Sequence, residues 1–82
     1  MEPLVPDRAL LIQVEVFLTR ENTHEVNQVL FLYLACAEIS QDVAQQQNHR
    51  LLHRVRVHFE LYEKTLKHFV DQKGVPTLPE KV

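Results

Sequence analysis

Residues 45–49, Gln45-Gln46-Gln47-Asn48-His49, decide the fold. After them, Leu52, Val55, Phe59, Tyr62, Leu66 and Phe69 recur at alternating spacings of three and four. That is one apolar stripe of a helix. Carried backwards, the same register lands on Asn48, Gln45, Gln41 and Glu38, all polar. Before the segment the apolar residues follow a different register. Val26, Leu30, Tyr33, Ala37 and Ala44 make one stripe, and Val29, Leu32, Cys36, Ile39 and Val43 make a second beside it. One straight seam cannot hold both sets. A hairpin near Asn48 resolves the mismatch. A single long helix with a phase slip is the alternative, because the segment contains neither glycine nor proline.

The second helix is expected to run to about Gln46. Asn22 and Glu25 have capping-box spacing at its start, and Thr23 is the competing cap. Its two stripes, extended by Phe31 and Leu34, exceed the roughly 100° that a surface helix buries. Such a helix is expected to be central, with neighbours on more than one side. The third helix is expected to end near Gln72 or Lys73, with Gly74 as the left-handed cap and Pro76 preventing continuation.

The first element is harder to type. Pro3 and Pro6 keep residues 1–6 out of a helix, and Asp7 is placed to cap one. From Arg8 to Arg20, Leu10, Val14, Phe17 and Leu18 share a helical face. Ile12, Val14, Val16 and Leu18 also alternate as in a half-buried strand. Helix is the expectation, since a lone strand has no obvious pairing partner. The fold class is therefore all-α: a small antiparallel three-helix bundle, or a helical hairpin plus an N-terminal helix. An N-terminal extension (1–6) and a flexible C-terminal tail (74–82) bracket a helical domain (7–73).

Composition agrees with this reading. The 82 residues allow one domain, and 45% apolar with 24% charged content is globular. Cys36, the single cysteine, has no disulfide partner in the chain and reads as a small core residue in a cytoplasmic protein. The start Met-Glu-Pro lacks the basic and apolar pattern of a secretory signal. The longest apolar run, Val29 to Ala37, falls short of the roughly 20 residues of a membrane span, so a soluble chain without membrane association is expected.

Charge is divided along the chain. Residues 1–47 carry two arginines against seven carboxylates, a net of −5. Residues 48–82 carry seven cations against four carboxylates, a net of +3. Antiparallel helices would bring the two halves edge to edge, within one chain or between two. Glu60–Lys64 and Glu63–Lys67 also have the favourable i, i+4 order.

No motif points to catalysis or a cofactor. His49 and His53 share a helix face as two metal ligands would, but nothing in the spacing of His24, Cys36 or Asp42 supplies a third. Ser40 has no glycine-built elbow, and its expected role is a polar position on a helix. Glu60 and Glu63 are better matched to their lysines than to acid–base work. No enzyme activity, cofactor, metal or small-molecule substrate is expected.

Surplus apolar surface is the more informative signal. Val57 and Leu61 lie roughly opposite the main stripe of the third helix, and Phe31 lies off the main stripe of the second. Together with Leu32 they make an expected interface, with Arg50 and Arg54 at its rim. The expected function is a non-enzymatic protein–protein interaction module of the adaptor, co-chaperone or regulator type. It would bind a protein partner or a second copy as a homodimer. The alternative is a small nucleic-acid-associated regulator using Arg50, Arg54 and Arg56.

Overall fold

A computed structural model describes residues 3–72. It contains α1 (Arg8–Arg20), α2 (His24–Gln45) and α3 (His49–Gln72), with no strand among the described residues. The cap expected at Gly74 and the tail at Val75–Val82 lie outside that range.

The first element is a helix. Asp7 caps it through Oδ1, which accepts the N–H groups of Ala9 at 3.0 Å and Leu10 at 3.4 Å. Leu10, Val14 and Phe17 are buried on one stripe, whereas Ile12 of the alternating pattern is 44% exposed. Burial thus follows the helical period. At the start of α2 the cap is Thr23, whose Oγ1 accepts the N–H of Val26. Asn22 is not the cap. Its side chain accepts from the Asn27 amide, which also donates to the carbonyl of Thr23 at 2.9 Å.

The segment 45–49 is a hairpin, and α2 and α3 are separate helices. Gln47 occupies the left-handed region at φ 56°. Its N–H bonds the carbonyl of Ala44 at 3.1 Å, and the N–H of Asn48 bonds that of Val43 at 3.4 Å. This pair of bonds is the Schellman arrangement, here built on glutamine in place of glycine. Asn48 then starts α3, its Oδ1 accepting the N–H of Leu51 at 3.1 Å. One residue closes α2 and the next opens α3, so no longer linker is needed.

The core draws Leu10, Val14 and Phe17 from α1, Val26, Tyr33 and Ala37 from α2, and Phe59, Leu66 and Val70 from α3. Full burial of an aliphatic or aromatic side chain stabilises by about 1.5–3 kcal/mol. Of the expected α3 stripe, Leu52, Phe59 and Leu66 are buried, and Val55, Tyr62 and Phe69 are half-buried. Val70 joins them because it lies within about 40° of Phe59 and Leu66 around the helix. Tyr33 and Phe59 stack with ring centroids 4.6 Å apart. That pair registers α2 against α3 near their middles.

Pro3–Asp7 stays out of the helix and runs extended along α2 as a strap. The N–H of Leu4 donates to Ser40 Oγ, and the N–H of Asp7 donates to the Tyr33 hydroxyl, both at 2.9 Å. The geometry matches. Three extended residues span about 10 Å, and the seven residues from Tyr33 to Ser40 rise about 10.5 Å along one helix face. As a central helix, α2 has α3, α1 and the strap as neighbours, yet it is not covered all round. Phe31 is 70% exposed and Ile39 49%. The 13-residue α1 divides its contacts between α3 and α2 and does not reach the far side of α2.

Candidate protein-interaction face

Phe31, Ala35 and Ile39 succeed one another at i, i+4 and i+8, so they form a line along the outward side of α2. A groove flanks each side of that line. One, of ≈ 460 Å³, lies between the strap and α2 and is lined by Leu4, Val5, Pro6, Phe31, Leu34 and Glu38, among others. The other, of ≈ 340 Å³, lies between α2 and α3. Leu32, Cys36, Ile39, Leu51, Arg54 and His58 are among its lining residues. Ala35 lines both grooves. The small side chain of Ala35 leaves a low saddle between the bulkier Phe31 and Ile39.

The two grooves differ in charge. Glu38 lines the strap-side groove, while Arg54 and His58 line the α3-side groove. The His58 ring is held in place, Nδ1 donating to the carbonyl of Arg54 at 2.9 Å. Cys36 is half-buried in the α3-side groove, and burial raises its thiol pKa above the usual range. A thiol held neutral is a poor nucleophile.

The expected interface residues divide as follows. Phe31 is the most exposed of the apolar ones, and Leu32 is half-buried as groove lining. Leu61 (56% exposed) is one turn from His58 and two from Arg54, continuing the α3 edge of the face. Val57, also half exposed, lies farther round α3. Arg50 and Arg54 are exposed on the same flank of α3. Arg56 is exposed too, but sits about 200° around the helix from Arg54. The three arginines therefore do not share one face.

The remaining candidates have other surroundings. His49 and His53 are exposed, and no group of three potential metal ligands occurs among the described residues. Glu63 pairs with Lys67 at 3.7 Å, while Glu60 and Lys64 do not reach ion-pair distance. Ser40 is fully buried and structural: it accepts from Leu4 and donates to the carbonyl of Ala37 at 2.6 Å. Sequence reasoning missed the strap and both of its anchors. The available signal was a pair of hydroxyls, Tyr33 and Ser40, seven residues apart within an apolar helix.

No helix among the described residues is long and apolar enough to cross a membrane. No protein-family model, curated protein or solved structure matches the chain.

Proposed function

We propose that this chain is a non-enzymatic protein-interaction module acting through the outward face of α2 and the adjoining edge of α3. The observation that supports it is Phe31, a large aromatic left 70% exposed on the wall of the apolar strap-side groove, with a second apolar groove beyond Ala35. Contiguous apolar surface of this kind, rimmed by charge, marks interaction sites more often than it marks idle surface. Aromatic anchors beside pockets also dominate interface energetics. Adaptor, co-chaperone and regulator roles all fit such a face.

Affinity purification from the native host, with mass spectrometry, tests the reading. The wild-type chain is expected to retain a defined protein that Phe31→Asp and Leu61→Asp variants of unchanged helicity lose. Retention of the same proteins by all three chains would sink it. The rival reading, a nucleic-acid-associated regulator, draws on Arg50 and Arg54 but has Arg56 on another face. A gel shift at low salt separates the two, since phosphate contacts are strengthened by low salt.

A further inference from the structure

We propose that the occupant of this face is a second copy of the chain, joined α2 to α2 about a two-fold axis parallel to the helix. The proposal rests on the reading of the face as a protein interface and names its partner.

Tyr33 stacks on Phe59, so those two positions are level in the antiparallel hairpin. Counting five residues along from each, Glu38 of α2 is level with Arg54 of α3. The two charges stand on opposite sides of the Phe31–Ala35–Ile39 line, one in each groove. A two-fold axis parallel to α2 preserves height and exchanges sides. It brings Arg54 of each copy over Glu38 of the other, making two cross-copy ion pairs. An axis perpendicular to α2 would instead set the Arg54 edge against the Arg54 edge. Charge complementarity thus selects both the partner and the orientation.

The apolar line fits the same symmetry. An interface about a two-fold axis must be self-complementary. Under the parallel arrangement Ala35 meets Ala35, and the small side chains allow the close helix approach at the low end of the usual 8–10 Å range. Phe31 meets Phe31 near the axis, with the strap-side groove beside each ring to take the offset that aromatic pairs prefer.

Analytical ultracentrifugation over a concentration series is the first test. The wild-type chain is expected to form a dimer, and Phe31→Asp to weaken it by roughly 30-fold or more, as loss of a central aromatic anchor does. Arg54→Glu and Glu38→Arg are each expected to weaken the dimer, and the double variant to restore it. Orientation is read by oxidising Phe31→Cys in a Cys36→Ser background. A disulfide across the two-fold is expected. A chain that stays monomeric throughout overturns the proposal. So does a dimer whose Phe31→Cys form does not cross-link and whose charge reversals do not compensate. A monomer that nevertheless retains a Phe31-dependent protein in the affinity purification would leave the interaction reading standing and remove only the second copy.

Discussion

The hydroxyl of Tyr33 donates to the Glu63 carboxylate at 2.6 Å and accepts the N–H of Asp7 at 2.9 Å. One buried oxygen therefore ties together α2, α3 and the cap residue of α1. The ring beneath it stacks on Phe59 and is fully buried. Glu63 in turn pairs with Lys67 one turn along α3. The polar tip of a core aromatic is satisfied on both its donor and acceptor sides, as burial requires.

Removing that oxygen separates its hydrogen bonds from the packing of the ring. Tyr33→Phe keeps the stack on Phe59 but leaves the N–H of Asp7 and the Glu63 carboxylate without this partner. A loss of about 1–3 kcal/mol is expected. Tyr33→Ala removes the ring too, and about 3–5 kcal/mol is expected. Urea denaturation of the three proteins measures both.

Alkaline pH acts on the same group. Burial, reinforced by the hydrogen bond to Glu63, raises the Tyr33 phenol well above its ordinary value of 10.0. The folded state therefore holds the proton more tightly than the unfolded chain does. Its contribution to stability is complete below pH 10 and is lost as pH rises above that value. Wild-type stability should fall more steeply than that of Tyr33→Phe above pH 10. Denaturation of both proteins from pH 8 to 11 checks this, and parallel curves would refute the assignment.

The strap is held at its far end by Ser40. Ser40→Ala removes the acceptor for the N–H of Leu4 and a bond to the carbonyl of Ala37. About 1 kcal/mol of destabilisation is expected. A local signature should accompany it. Amide exchange at Leu4 should accelerate beyond the quickening that the loss of global stability brings to the middle of α3. Unchanged protection at Leu4 would mean that the strap is held by other contacts.

At the hairpin, Gln47 adopts φ 56°, a region that a Cβ disfavours. Glycine carries no such penalty, although it gives the unfolded chain more freedom. Gln47→Gly is expected to stabilise by a net of about 0.5–1 kcal/mol. A shift of the thermal midpoint to higher temperature is the readout.

Much of the helical framework was legible in the sequence. Asp7 announces α1, Thr23 was one of two readable caps for α2, and the clash of registers around residues 45–49 favours a break over one continuous helix. These signals are local. A cap bonds backbone two or three residues away, and an apolar stripe repeats within seven. The hairpin lacked its customary glycine, so its location came from the register mismatch and not from turn chemistry. Gln47 supplies the left-handed residue instead.

The exposed apolar surface of α2 and α3 was legible only in part. Phe31, Val57 and Leu61 stand off the main stripes, and all three are exposed. Ile39 belongs to a well-formed stripe and is half exposed nonetheless. Periodicity says that one side of a helix is apolar. It does not say how much neighbouring chain is available to cover it.

The sequence by itself therefore determined the helical character of α2 and α3 and the Asp7 cap, and it favoured a helix for α1 and a reversal near Asn48, because those signals follow from the short-range period of a helix. Only the tertiary structure decided that residues 3–7 lie along α2, that Ser40 and the Tyr33 hydroxyl anchor them, and that Glu38 and Arg54 line separate grooves on the two sides of the Phe31–Ala35–Ile39 line. Those relationships join residues 16 to 36 positions apart. Their existence depends on how the packed helices are oriented, which no local repeat encodes.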